Sequence, residues 1–333
     1  MAGIVLGGMA WSEPRGYAPL VACALAWRET KGVEIIWDKR SLQDFESFSV
    51  AELARRYDLL VIDHPHVGQA TRESCLAPFD ELSRAGEREA LTHASVGPSW
   101  ASYIWRGRQW ALPIDAAAQV MAWRPDLIDP PPATWDETLA LLRRVPALCP
   151  MRPPHWLMAL FTLAANLGAS SSPEGPQLFD SAAGVEAFAR LNELMALADS
   201  RSFAMDPVRA LDTMSAADSH FALAPLIYGY VSYAAEAFRP HRIRFADIAP
   251  LGLAGPIGSA LGGAGIAVSA MSGHRREAAD FCLLARERHS SGGRLRSLGR
   301  PAGAFRGLGV GSGQRARRRF LPRHAAHVRR RVA

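Results

Sequence analysis

Lysine is almost missing from this chain: Lys31 and Lys39 are the only two, and the other basic residues are all arginine. Such a bias points to GC-rich coding, not to a chemical demand for guanidinium. Cysteine is also scarce. Cys23, Cys75, Cys149 and Cys282 lie far apart with no C-x-x-C pair. That removes the spacing of a zinc or thioredoxin-type site and leaves buried free thiols as the expectation. No apolar run is long enough to span a bilayer. The opening MAGIVLGGMAW has no Lys or Arg ahead of its apolar residues and reaches Trp11 without a cleavage-type region. It reads as a first buried strand, so nothing in the chain as written exports it, and as written it is cytoplasmic. No G-x-S-x-G is present, and no cysteine has an evident base partner. GGAGIAVSA, residues 262–270, lacks the lysine of a phosphate loop and enters a strand where a phosphate loop would open a helix.

What is present is ordinary globular material: 333 residues, 49% apolar and 21% charged, enough for one large domain or two. The net charge of +6 hides an asymmetry. Residues 286–333 hold 14 arginines and one acid, Glu287, while residues 1–285 carry 24 basic and 31 acidic residues. The body is mildly acidic and the basic pI belongs to the tail. In that tail apolar residues are sparse and aperiodic, so it cannot bury enough surface to offset chain entropy. Two readings remain for residues 286–333: a disordered basic arm, or an out-of-frame product of a GC-rich gene. Such an arm would hold phosphate backbones only nonspecifically, and Phe305 and Phe320 make no stacking platform, so no specific nucleic acid is expected.

Along the body, short apolar runs alternate with amphipathic stretches. Ile4–Met9, Val33–Trp37 and Leu59–Ile62 read as strands; Tyr17–Thr30 and Leu42–Arg56 read as helices between them. That order predicts an α/β layer with a mainly parallel sheet. Further helices are expected at Thr134–Leu142, where Thr134 and Glu137 form a capping box, and at Trp156–Leu167, Val185–Ala198 and Arg276–Leu284. Strands are expected at Ser219–Ala224, Asp247–Leu253 and Gly265–Ser269.

One stretch asks for a functional reading. In RQWALPIDAAAQVMAWRPDLI, residues 108–128, an apolar run stops at Leu112-Pro113, meets the lone acid Asp115, and resumes. A strand that leaves one α/β unit, bends at a proline and enters another has this form. A carboxylate at that junction would face a crevice. A buried strand with an incidental loop acid has it equally well.

The segment from Gly107 resembles the G-x-x-[YW]-A-L-P hinge of bacterial extracellular solute-binding proteins, family 1, the sugar-type receptors of ABC importers. Other pieces are similar to that family in its order: GMAWSEPRGY, YDLLVIDHPHVGQA, PATWDETLALL, DSHFALAPLIYGYVSYA, and GSALGGAGIAVSAMSGHRREAADF. The likeness covers roughly residues 3–285. It implies an α/β, two-lobe periplasmic-binding-protein-like (type II) fold with hinge crossovers near Pro113 and Pro250. One lobe would be 1–112 with 250–285, the other 115–247, followed by a disordered basic tail.

By the same resemblance, Trp11, Ser12 and Arg15 after the first strand would face ligand, as would Asp63 and His64 at the end of the third. Asp115 at the crossing and Tyr228 and Tyr230 in the second lobe would join them. Gly262 and Gly263 would let backbone N–H groups approach the cleft. Each has a structural rival: packing for the aromatics, solvation for Arg15, backbone capping for the acids. His64 and His66 beside Asp63 suggest a metal, but Pro65 breaks the strand geometry and nothing further completes a ligand set, so no metal and no cofactor is expected.

The resemblance implies a monomeric receptor that captures a small polar, sugar-like solute without chemistry, passes it to ABC permease subunits, and works in the periplasm. Two alternatives stay open: a cytosolic ligand sensor on the same fold, and a cleft enzyme, transferase or hydrolase, built on Asp63, His64 and Asp115.

Overall fold

The first apolar run becomes strand β1, Val5–Trp11, backed by a helix over Pro14–Lys31. This is a computed structural model of the chain, which describes residues 3–41, 49–169, 171, 177–251 and 258–290. Pro14 suits the helix start, where its missing N–H is not needed, and the Glu13 carboxylate accepts from the Arg15 amide at 2.6 Å. Gly32 closes the helix at φ +69°, turning its amide back to the Arg28 carbonyl.

Strands β2 (Glu34–Arg40) and β3 (Leu59–Asp63) lie parallel to β1 on either side. The short strands β4 (Leu76–Ala77), β5 (Ile104–Trp105), β6 (Arg108–Gln109) and β7 (Leu112–Pro113) follow. Next come β8 (Gln119–Trp123), β9 (Leu223–Tyr228), β10 (Arg244–Ala246) and β11 (Ala264–Ser269). The first sheet runs β2-β1-β3-β11-β4, with β7 also on β11; the second runs β10-β8-β9 and is antiparallel; β5 and β6 form a small hairpin.

The expectation of a mainly parallel sheet holds only for β2-β1-β3. The chain leaves the first sheet along β7 and returns along β11, so β11 runs against β3, β4 and β7. Local periodicity could not show this, because the returning strand is supplied from about 150 residues away.

One hydrophobic core joins β1, β3 and β11 to the Pro14–Lys31 and Arg275–Ser290 helices, and continues onto one face of the second sheet. Leu59 to Ile62 are buried on both faces of the first sheet, which explains their unbroken apolar run. A second core packs Met121, Trp123, Leu223 and Leu226 against helices His155–Asn166 and Ser181–Met195.

Several expected elements move. Only Val50–Ala54 of the proposed Leu42–Arg56 helix is helical among the described residues; 42–48 lie outside them. The strand expected at Ser219–Ala224 begins at Leu223 and runs to Tyr228. The one expected at Asp247–Leu253 is not a strand as far as Leu251, and 252–253 lie outside the described residues. Ile248 and Ala249 are apolar because they fill the second core, not because they pair in a ladder. Thr134 caps its helix by accepting from the Glu137 amide at 3.1 Å, while Glu137 reaches one residue further back, to Ala133.

The last helix passes the compositional break at 286. Arg286 is buried and donates to Ser95 Oγ at 2.9 Å and Ala94 O at 3.3 Å. Residues 291–333, the bulk of the expected disordered or out-of-frame tail, lie outside the described residues. All four cysteines are buried, and none is in a disulfide. Among the described residues no helix is long and apolar enough to cross a membrane.

The Arg-Pro-Asp-Leu end of β8 has a structural account. Arg124 is only 2% exposed, and its fork takes both oxygens of Asp126, at 2.8 and 2.6 Å. Its remaining amino group donates to Met214 O and Ser219 O. A buried guanidinium with these four acceptors ties the end of β8 to the segment before β9.

Candidate ligand-binding cleft

The two passages between the sheets lie side by side. Ile114 and Asp115 both donate their amides to Ala264 O, at 2.9 and 3.0 Å. Ala117 and Gly262 then exchange a pair of backbone bonds, at 3.0 and 2.9 Å. Gly263, between them, sits at φ +108°, and a Cβ there would lie 2.3 Å from the Asp115 carbonyl oxygen. Only glycine fits this crossing. The outgoing passage is where expected, just after Pro113. The return passage meets it at Gly262–Ala264 and not at Pro250.

A cleft of about 520 Å³ opens beside these passages. Trp11, Arg15, Asp63, His64, Asp115, Tyr228, Tyr230, Gly262 and Gly263 all line it. Ser12 does not: it is exposed, and its amide pairs with Arg40 O at 2.7 Å. As the residue after β1's last position, its side chain turns out while those of Trp11 and Arg15 turn in. Gly262 does not offer its amide to the cleft in the manner expected. The Gly262 N–H is bound to Ala117 O, and its Cα lies against the Tyr228 ring, where a Cβ would meet the ring at 2.7 Å.

Arg15 organises one wall. It donates to Asp115 Oδ2 at 2.8 Å and to Gly229 O at 3.2 Å, and its guanidinium lies 4.8 Å from the Tyr230 ring centre and 5.5 Å from that of Trp11. It therefore joins the end of β1, the outgoing passage and the loop after β9. Beside it, Ser232 Oγ donates to Glu13 Oε1 at 3.0 Å, a second bond between the β1 loop and the segment after β9. Tyr228 and Tyr230 were expected to share a strand face. Instead β9 ends at Tyr228, and the turn at Gly229 still brings both rings to the cleft.

Asp63 stands differently. Among the described residues no donor is bonded to its side chain. Burial, with Asp115 nearby, pushes its carboxyl up to about 7. Tyr103 lies beneath, its hydroxyl directed at Ile62 O and Gly263 O at 3.3 and 3.4 Å, and burial raises it well above the usual phenol range. His64 and His66 lie on a single helical turn after β3 and not on a strand. Nε2 of His64 is 3.0 Å from Leu261 O, and burial lowers both imidazoles, so they are neutral at pH 7. The Asp63, His64 and Asp115 set comes together as a wall, but Asp115 is held by Arg15 and His64 by Leu261. Among the described residues, no group of three or more His, Cys, Asp or Glu side chains is arranged to hold a metal.

Sequence reasoning missed the opposite wall. Pro153, Pro154, His155, Leu157 and Met158, at the start of the His155–Asn166 helix, also line the cleft. His155 packs edge-on to Tyr228 with ring centres 6.3 Å apart, and burial pushes it down to about 4. The available signal was a histidine at the head of a strongly apolar helix, flanked by two prolines. Nothing local tied that helix to the crossing.

The model of the bacterial extracellular solute-binding proteins matches residues 28–287. Three solved structures share the fold. The GacH receptor of Streptomyces glaucescens GLA.O, solved unliganded and with acarbose, is 15% identical over 88% of this chain and 79% of its own, with a TM-score of 0.68. A maltose-bound MalE3 of T. maritima is 15% identical over 86% and 79%, at 0.69. A solute-binding protein of Agrobacterium radiobacter K84 in complex with ribitol is 18% identical over 87% and 78%, at 0.69. Identities this low show the fold alone, a two-lobe α/β architecture.

Proposed function

The chain belongs to the bacterial extracellular solute-binding proteins, a family of binding receptors and not of enzymes, and on that premise we propose that it captures one small sugar- or polyol-like solute and delivers it unchanged to the permease of an ABC importer. The observation that carries this reading is the cleft beside the paired passages, lined by residues attached to both sheets. Its volume suits a small polar molecule. The lobes would be 1–112 with the chain after Ala264, and 118–261, with the Ile114–Ala117 and Gly262–Ala264 passages as hinge. Trp11, Arg15, Asp63, His64, Asp115, Tyr228 and Tyr230 would meet the solute. Carboxylates accept from hydroxyls, and aromatic rings cover the C–H faces of a sugar. Contacts from both lobes favour the closed state by their differential affinity. The relatives named above bind acarbose, maltose and ribitol, which supports the sugar or polyol class; the extracellular description of the family supports a working receptor outside the cytoplasm.

A thermal-shift screen over sugars, polyols, amino acids and carboxylates tests the reading. A sugar or polyol at about 100 times its Kd should add about 2.7 kcal/mol of stability and be recovered unaltered. Consumption of the compound, or stabilisation only by compounds outside these classes, would refute it.

A further inference from the structure

The cleft's charges do not balance. Its one arginine is already committed: the two amino groups of Arg15 bind Asp115 and Gly229 O, and its face lies over Tyr230. Arg15 and Asp115 cancel as a pair at 2.8 Å. The lining histidines, His64, His66 and His155, are neutral at pH 7. What remains is Asp63, at the cleft wall, with no donor bonded to its carboxylate among the described residues. The groups that interact with its charge are Asp115 and the Tyr103 phenol, and neither supplies a compensating positive charge.

With its carboxyl raised to about 7, Asp63 is close to half ionised at pH 7, and its ionised form, facing a partly desolvated cleft next to a second carboxylate, is poorly matched to a neutral solute. A hydroxyl donates one hydrogen bond and leaves the charge in place. An ammonium donates up to three and cancels it, and charge-assisted bonds are roughly twice as strong as neutral ones. An anionic solute finds no uncommitted cation among the described lining residues and meets Asp63 as a like charge. The rest of the lining is apolar and aromatic, which tolerates a cation better than an anion. We propose that Asp63 is a specificity-determining residue and that the solute is a polyhydroxylated molecule carrying a protonated amino group, which it places on the Asp63 carboxylate. The proposal rests on the receptor reading above and narrows its solute class.

Matched series decide it on the full chain at pH 7: D-glucose, D-glucosamine and N-acetyl-D-glucosamine, and sorbitol with its 1-amino-1-deoxy counterpart. Binding is read by thermal shift and calorimetry. The amino member of at least one series should bind about tenfold tighter than its hydroxyl partner, and N-acetylation should abolish the gain. In Asp63→Asn the preference should fall to about twofold or less. The N-acetyl comparison needs only the unmodified protein, so it stands even if the variant does not fold. Equal or tighter binding of the hydroxyl members, or a preference that survives Asp63→Asn, overturns the proposal and leaves the sugar-type receptor intact. Silence of both series in a protein that answers other sugars or polyols overturns the proposal alone; silence toward every sugar and polyol overturns the receptor reading with it.

Discussion

Arg15 and Asp115 are 100 residues apart in the chain and 2.8 Å apart in the fold. Arg15 follows the first strand, and Asp115 lies on the outgoing passage between the two sheets. The third party is the Gly229 carbonyl, just after β9. One guanidinium thus fixes the relative position of three backbone segments at the mouth of the cleft. Both side chains of the pair are largely withdrawn from water, so the bond is screened less than a surface ion pair.

Asp115→Ala removes the acceptor and leaves Arg15 facing two aromatic rings and one carbonyl. A stability loss of about 1–3 kcal/mol is expected, together with weaker solute binding. Urea melts and calorimetry on the same preparation check both; an unchanged midpoint would mean that solvent already satisfies Arg15.

Gly263→Ala places a methyl against the Asp115 carbonyl and forces an L-residue into the left half of backbone space. A loss of about 2–4 kcal/mol is expected, because backbone and not a flexible side chain must give way. Gly273→Ala serves as control, since nothing lies within 4 Å of a Cβ there. Similar midpoints for the two variants would contradict the close pairing of the passages.

Asp63 and His155 impose opposite pH dependences on the empty receptor. The Asp63 carboxyl is raised to about 7 from 3.8, so the folded protein holds the proton more tightly. Its contribution is present at low pH and is lost as pH rises through about 4 to 7. Asp63→Asn should therefore be more stable than the parent at pH 8, by about 2–4 kcal/mol, with the difference fading toward pH 4. Melts of both proteins across that range check this, and a constant offset would show that Asp63 titrates normally.

His155 is lowered to about 4 from 6.5 by burial, so the unfolded chain takes the proton first. Its neutral form costs about 3 kcal/mol of stability as pH falls from 6.5 to 4. His155→Gln should flatten that acid limb without altering behaviour above pH 7. An NMR titration of the ring gives the same answer directly; a midpoint near 6.5 would place His155 in contact with water.

Arg124→Ala strips two carbonyls and a carboxylate of their buried donor, and should cost about 3–5 kcal/mol with no direct effect on the cleft. Full solute binding in whatever fraction remains folded is the expected readout; loss of affinity in the folded fraction would tie β8's end to the site.

Much of this molecule follows from local pattern. The alternation of apolar runs and amphipathic stretches, Gly32 as a helix stop, Thr134 as a cap and the Pro113–Asp115 break are all legible, because each rests on contacts within a few residues. Nine of the ten site residues line one cleft, but the resemblance to a family's order of segments, not local pattern, singled them out. Three-dimensional packing decided the rest. It returned β11 antiparallel into the first sheet, brought the His155 helix to the opposite wall, gave Asp115 to Arg15 and left Asp63 without a donor among the described residues. Pairing across 100 residues or more depends on which surfaces meet, and no window of sequence contains both partners.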